Sequence, residues 1–174
     1  MTISYTQNLI RELRRAGKPT LFLKFDIAKA FDTVRWDYLL EVLQQLGFGD
    51  RWRAWVTTLL GKASSTVLLN GVRGKWFKYR TGLRQGDPLS PMLFILAMEP
   101  LQLMLNKATE QGLLTPICNR NAKIRVSMYA DDAAIFLNPI SDEVQVVHNI
   151  LAAFGSASGL ITNNAKKHSV SNSL

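Results

Sequence analysis

Apolar residues form strand-like patterns on both sides of a pair of adjacent aspartates. They occupy every second position from 124 to 128, and an apolar run covers 133–137. This pattern predicts a strand, a very tight turn and a second strand, with Asp131 and Asp132 at the bend. Adjacent carboxylates repel each other, and a divalent cation between them relieves that repulsion. Turns also favour Asp for local reasons, so the stretch alone fits either a metal site or a solvated turn.

An earlier apolar run, residues 21–25, predicts a buried strand that carries Asp26 at or near its end. If this strand neighbours the Asp131–Asp132 hairpin in one sheet, three carboxylates converge. A buried acidic cluster is tolerated only when it is neutralised, which two Mg²⁺ ions do well. Two such ions can activate an attacking oxygen and stabilise a leaving one, so the pattern favours nucleotidyl transfer over acyl or glycosyl chemistry.

Five stretches have apolar residues at helical spacing. One buried face is predicted from Leu39, Val42, Leu43 and Leu46, in a helix that Gly47 ends. A second helix is predicted over 50–61, with Asp50 as N-cap, Trp52, Trp55, Val56 and Leu59 as its apolar residues and an end at Gly61. A third is predicted over 90–107, with Ser90 as N-cap, a deeply buried run through Ile95 and a kink or end at Pro100. The remaining two are 3–15 and 141–157, the latter ended by Gly159.

The segment 65–80 predicts two strands joined at Asn70–Gly71. Cations and aromatic rings interleave in its second half, from Lys75 to Arg80. Phosphates attract the cations and bases stack on the rings, so this strand suits a nucleic-acid surface. An amphipathic strand would give the same pattern if the alkyl stems of its lysines packed on an apolar surface and their charged ends extended into water. The residues alone do not separate these two interpretations.

Composition and charge narrow the class of protein. The length of 174 residues fits one domain, and an apolar content of 47% argues against disorder. Lys and Arg number 21 against 13 Asp and Glu, and the net charge of +8 favours a polyanionic partner, nucleic acid before an acidic membrane surface. Cys118 is the only cysteine, which excludes an internal disulfide and a Cys-rich zinc site. We expect no transmembrane segment and no signal peptide.

Four motifs carry a resemblance to a known family. They are Phe25–Asp32 (FDIAKAFD), Arg84–Pro91 (RQGDPLSP), Tyr129–Asp132 (YADD), and Gly159–Leu160 followed by Asn163 and Lys166. Their order and spacing resemble the palm motifs of reverse transcriptases. Their residue choice resembles the enzymes of non-LTR (LINE-type) retrotransposons, especially plant ones, and the resemblance covers nearly the whole chain.

The resemblance implies an α/β fold, the palm of a right-hand polymerase, with a small, mainly antiparallel sheet packed on helices and a little of the fingers. It implies a partial palm domain over 1–170 and a tail over 171–174, with the thumb, the endonuclease and most of the fingers belonging to a parent polyprotein. The implied function is RNA-directed DNA polymerisation on an RNA template and DNA primer, inside the cell and in the nucleus. A non-catalytic remnant that folds and binds RNA is the alternative.

The resemblance also implies a metal site. Its ligands would be Asp26, Asp131, Asp132 and the main-chain carbonyl of Ile27, which would hold two Mg²⁺ ions, with Mn²⁺ as a substitute. The three aspartates would be the catalytic carboxylates.

Further residues match the family's nucleotide-binding positions. Phe31 matches the steric gate that crowds a ribose 2′-OH, although a core phenylalanine would also suit a strand-to-helix junction. Arg84, Gln85 and Gly86 would contact the deoxynucleoside triphosphate and template, whereas a plain capped loop is the other interpretation. Lys166 would approach the triphosphate as a proton donor to the leaving pyrophosphate. The family places Ser or Thr after that lysine, whereas this chain has Lys167.

Overall fold

The computed structural model describes Arg11 and residues 20–116, 126–129, 132–163 and 167–170. Its contacts divide the chain into two compact units. The first comprises Met1–Ala28, Leu101–Gly155 and Ile161–Leu174, and the second comprises Lys29–Pro100 and Ser156–Leu160. The predicted helix 3–15 lies outside the described residues except for Arg11. Among the described helices, none is long and apolar enough to cross a membrane.

The chain combines helices with short strands. In chain order the described elements are β1 (Thr20–Ile27), α1 (Ala30–Thr33), α2 (Trp36–Gln45), α3 (Asp50–Lys62), β2 (Ser64–Ser65), β3 (Leu68–Leu69), β4 (Val72–Arg73), β5 (Phe77–Lys78), α4 (Ser90–Glu110), β6 (Val126–Tyr129), β7 (Asp132–Leu137), α5 (Ser141–Ser158), β8 (Thr162–Asn163) and β9 (Lys167–Val170).

A five-stranded sheet forms the centre of the first unit. Its order is β6-β7-β1-β8, β9 also pairs with β1, and each of these pairings is antiparallel. The alternation of the sequence explains β1, because Leu23, Phe25 and Ile27 are buried at every second position. The predicted small antiparallel sheet is therefore confirmed. The buried residues of this unit outside β1 include Leu101, Leu105, Leu114, Ile135, Leu137, Val147, Leu151 and Phe154.

Helices α2 and α3 pack together in the second unit. The predicted face of α2 is confirmed at Leu39, Val42 and Leu43, but Leu46 is exposed because the helix ends at Gln45. Gly47 has φ +83° and stops the helix as predicted, and the Phe48 N–H donates to the Leu43 carbonyl at 3.0 Å.

Helix α3 differs from its prediction at both ends and along one face. Gly49 is its N-cap, so the prediction for Asp50 was wrong; the Asp50 carboxylate instead accepts a hydrogen bond from Arg53. Gly61 lies inside the helix rather than at its end. The buried face is formed by Val56 and Leu60, while Trp55 and Leu59 are exposed.

The bounds of the long helices α4 and α5 are close to those predicted, although α4 differs from its prediction in detail. Helix α4 runs through Pro100 to Glu110, and Ile95 on it is exposed, contrary to the prediction of a run buried all round. The prediction of Ser90 as N-cap was wrong, because Ser90 is the first residue of α4 and its hydroxyl donates to the Arg84 carbonyl at 2.7 Å. The Leu93 N–H, which an N-cap side chain at position 90 would have bonded, donates to the Leu89 carbonyl instead. Helix α5 ends just before Gly159, which has φ +80°.

Candidate active site

Asp26 and Asp132 occupy directly opposed positions on adjacent strands. The ladder between β1 and β7 pairs Leu21 with Leu137 at one end and Asp26 with Asp132 at the other. Opposed residues of an antiparallel pair have Cα atoms about 4.5–5.5 Å apart and occupy the same face of the sheet. Because Phe25 is buried on the face of alternating core residues, position 26 belongs to the other face.

The hairpin that carries the second and third aspartates has the predicted form. Tyr129 pairs with Asp132, so β6 and β7 are joined by the two-residue connection 130–131. Asp132 is therefore the first residue of β7 rather than part of the bend, whereas Asp26 is the penultimate residue of β1, near its end as predicted. Asp131 falls within the connection and lies outside the described residues.

On its other side β1 pairs with the fourth motif. Asp26 is opposite Asn163, Ile27 is opposite Thr162, and the Ala28 N–H donates to the Ile161 carbonyl at 3.1 Å. Position 26 is thus flanked by Asp132 on one neighbouring strand and by Asn163 on the other. Sequence reasoning gave Asn163 no role, although it belongs to the quoted motif.

Two further assignments to this site remain predictions. Lys166 lies in the short connection between β8 and β9, outside the described residues. Ile27 has a buried side chain, and the predicted role concerns only its main-chain carbonyl. Within the described ranges no group of three or more His, Cys, Asp or Glu side chains could hold a metal, but Asp131 and the side chains of Asp26 and Asp132 lie outside that part. The fit of a divalent cation therefore rests on the opposed aspartate positions.

Phe31 is held in place in the second unit. Its ring stacks on that of Phe94, with centroids 4.9 Å apart and an angle of 25° between the planes. Its carbonyl accepts a hydrogen bond from the Leu83 N–H at 2.5 Å. The ring is half-buried, which satisfies the packing interpretation and leaves part of the ring accessible.

The loop 81–89 approaches the residues after Phe31 very closely at Gly82. A Cβ added to Gly82 would lie 2.5 Å from the main-chain oxygen of Asp32, and Gly82 has φ +83°. The Gly82 N–H donates to the Val34 carbonyl at 2.8 Å, and the Trp36 indole N–H donates to the Gly82 carbonyl at 2.7 Å. Sequence reasoning did not assign this role to Gly82 or Trp36. The only local signal was the glycine itself in a loop next to a motif.

The three predicted nucleotide-contacting residues of this loop are exposed. The Gln85 side-chain amide donates to the Asp32 carboxylate at 3.2 Å, which orients the amide. Gly86 has φ +85° and open space where a Cβ would be. The Arg84 guanidinium has no hydrogen bond or ion pair with another described residue, so its charge is available to a ligand.

The second unit contains two further polar pairs, of which only the first joins two helices. The Tyr38 hydroxyl donates to the Ala97 carbonyl at 2.8 Å, and burial raises the pKa of this phenol. The Arg35 guanidinium donates to Asp37 through two hydrogen bonds of 3.1 and 2.5 Å, which lower the pKa of the Asp37 carboxyl. Both partners of this second pair are exposed, so it is worth little to stability.

Comparisons with known proteins concern the chain as a whole. Residues 1–173 match the family model described as "Reverse transcriptase (RNA-dependent DNA polymerase)". The chain is 34% identical over 157 residues to the "Transposon TX1 uncharacterized 149 kDa protein" of Xenopus laevis, covering 86% of this chain and 12% of that protein. It is 30% identical over 168 residues to a "Retrovirus-related Pol polyprotein from type-1 retrotransposable element R2" of Popillia japonica, covering 95% of this chain and 26% of that protein.

A comparison with solved structures supports the same fold. Apo telomerase of Candida tropicalis superposes with a TM-score of 0.70 at 15% identity, covering 97% of this chain and 35% of that one. At this identity the likeness shows the fold alone.

Proposed function

The chain belongs to the reverse transcriptase family, with relatives among non-LTR retrotransposon Pol proteins, and on this basis we propose that it supplies the site of nucleotidyl transfer in an RNA-directed DNA polymerase. The substrates would be a primer 3′-OH, deoxynucleoside triphosphates and an RNA template. Residues 1–170 would form the palm. The match covers only 12% and 26% of the lengths of the two relatives. Polymerase activity of a whole protein is therefore proposed here as well.

The carboxylates of Asp26, Asp131 and Asp132 and the carbonyl oxygen of Ile27 would hold two Mg²⁺ ions, for which Mn²⁺ could substitute. Bound there, the ions would lower the pKa of the primer hydroxyl and stabilise the leaving pyrophosphate. The observation that supports this most is the register, because two carboxylates directly opposed across an antiparallel pair repel each other. A divalent cation converts that repulsion into shared coordination.

We propose that the deoxynucleoside triphosphate and the template are contacted by Phe31, by the loop residues Arg84, Gln85 and Gly86, and by Lys166. The Phe31 ring would act as the steric gate, and its stack on Phe94 would keep it from yielding to a 2′-OH. Gln85, oriented by Asp32, and Gly86 would contact the base or template, while Arg84 would contribute positive charge. Lys166 would donate a proton to the pyrophosphate.

Primer extension by the full-length protein that carries this sequence tests the proposal. With Mg²⁺ and a primed RNA template, Asp131→Asn should lower the rate by about 10³-fold or more, since the loss of a metal ligand removes several kcal/mol of transition-state stabilisation. Asp142→Asn is the matched control, because Asp142 is an exposed carboxylate on the first turn of α5.

Equal rates for Asp131→Asn and the control would contradict the metal role. A folded wild-type protein without activity on any primed template would support the non-catalytic remnant instead. A nuclear location is proposed from the same resemblance, and imaging of the tagged full-length protein would check it.

A further inference from the structure

The second unit carries an arm, residues 64–80, that takes no part in the proposed polymerase site. We propose that this arm is a separate, sequence-independent binding surface for single-stranded nucleic acid. A base would stack on Trp76, and the phosphate contacts would come from Arg73, Lys75, Lys78 and Arg80. This inference does not depend on catalysis.

The arm is one hairpin with an irregular ladder. At its base β2 pairs with β5, and near its tip β3 pairs with β4 across the turn at Asn70–Gly71. Between the two ladders the Thr66 hydroxyl donates to the Gly74 carbonyl, and the Gly74 N–H donates to the Val67 carbonyl, both at 2.8 Å. The predicted hairpin about Asn70–Gly71 is confirmed, but its predicted strands, 65–70 and 75–80, are replaced by four strands of two residues each, one of which, β4, precedes residue 75.

Trp76 is the aromatic ring of the arm that is available to a ligand. Phe77 and Tyr79 meet edge to face with centroids 6.0 Å apart, and the Tyr79 hydroxyl lies 2.6 Å from the Ser65 hydroxyl. Trp76 is 66% exposed and makes no hydrogen bond or ring contact with another described residue. Trp76 lies between β4 and β5, and an exposed indole is the type of platform on which unpaired bases stack.

Along the sequence, the arm and its flanking residues carry charge of one sign only. Residues 51–86 contain eight Lys and Arg and no Asp or Glu. The four cations of the arm itself form no ion pair with any residue in the part of the chain that the structure describes. Every residue from 67 to 81 is exposed. Uncompensated positive charge on such an exposed hairpin attracts a polyanion and releases its counterions.

A protein partner is the competing occupant, because the tip of the arm is apolar. Its exposed side chains are Val67, Leu68, Leu69 and Val72. These residues precede or form the tip, whereas Trp76 and three of the four cations follow it. A protein covering the tip would not require the unpaired cations or the free indole, so nucleic acid accounts for more of the arm.

Binding of a labelled oligo(U) RNA of about 15 nucleotides, followed by fluorescence anisotropy in EDTA at several salt concentrations, tests the inference. Lys75→Gln/Lys78→Gln should reduce the slope of log Kd against log salt by about 1.4, since each neutralised phosphate of a single strand contributes about 0.7. Trp76→Leu should weaken binding about 10-fold and leave the slope unchanged. Because EDTA removes divalent cations, failure of the polymerase proposal would not affect this result.

Matched variants keep the test specific. Arg11→Gln/Lys107→Gln removes two exposed cations outside the arm, and Trp55→Leu removes an exposed indole on α3. Both should bind RNA nearly as the wild type does, and thermal melts should show that all variants fold. The inference would be overturned if the arm variants bound no more weakly than these controls. Equally tight binding of a duplex RNA of the same length would overturn the preference for a single strand.

Discussion

The opposed aspartates of the first unit and the Gln85 loop of the second unit are held by different kinds of interaction. Asp26 and Asp132 lie in strands where six successive residue pairs fix the register. Gln85 lies in a loop without a ladder, and its position follows from the close approach of Gly82 to Asp32 and from single hydrogen bonds.

This difference determines where each region is vulnerable. In a ladder, many backbone hydrogen bonds together hold each residue in position. A register slip by one residue would turn every side chain of the strand to the opposite face of the sheet. A loop held by one close approach depends on the residue at that point. Single substitutions near Gly82 should therefore disturb the loop more than comparable substitutions disturb the register of β1 and β7.

The largest effect on stability is expected from Gly82→Ala. Its new Cβ would lie 2.5 Å from the Asp32 oxygen, and φ +83° disfavours any side chain, so the free energy of unfolding should fall by about 2–4 kcal/mol. Gly86→Ala is the matched control in the same loop. It has φ +85° and no atom within 4 Å of the Cβ position, so only the backbone penalty of about 1–2 kcal/mol applies.

Urea denaturation measures both losses, and hydrogen exchange of the backbone amides locates them. Exchange in Gly82→Ala should increase around residues 31–34 and 82–83 while the amides shared by β1 and β7 keep their protection. If Gly82→Ala and Gly86→Ala were equally destabilised, the close approach to Asp32 would not be what holds the loop.

A smaller effect is expected from Tyr38→Phe, which removes the hydrogen bond to Ala97. The variant should lose about 1 kcal/mol of stability near neutral pH. Burial raises the pKa of Tyr38 above its ordinary value of 10.0, so its contribution is complete below pH 10 and is lost as the pH rises further. Stability profiles from pH 8 upward should therefore decline less steeply for Tyr38→Phe than for wild type. Parallel curves for Tyr38→Phe and wild type would contradict the effect of burial.

The elements that the sequence predicted well depend on local patterns. The apolar runs 21–25 and 133–137 were sufficient to predict two strands of the sheet, and Gly47 and Gly159 both have the left-handed backbone expected at a helix end. Motif spacing indicated the family, which the comparisons confirmed.

The elements that it missed depend on contacts between distant parts of the chain. Gly82 matters because it meets Asp32, fifty residues earlier, and no local pattern contains that contact. The sequence predicts Asp50 as the N-cap, whereas Gly49 occupies that position. The two differ by one residue, and a sequence pattern does not locate the start of a helix that accurately. The exposure of Ile95 likewise follows from which face of α4 finds a neighbour.

Binding of Mn²⁺ to the chain, followed by electron paramagnetic resonance, tests most directly the central claim that the aspartates opposed across β1 and β7 form a divalent cation site. Wild type should bind Mn²⁺, and Asp26→Asn and Asp132→Asn should each weaken binding by at least about 10-fold. Loss of a residue that supports a metal ligand already lowers affinity by about this factor, and loss of a direct ligand should cost at least as much. Asp142→Asn should bind as wild type does. Wild-type affinity in both Asp26→Asn and Asp132→Asn would contradict the claim.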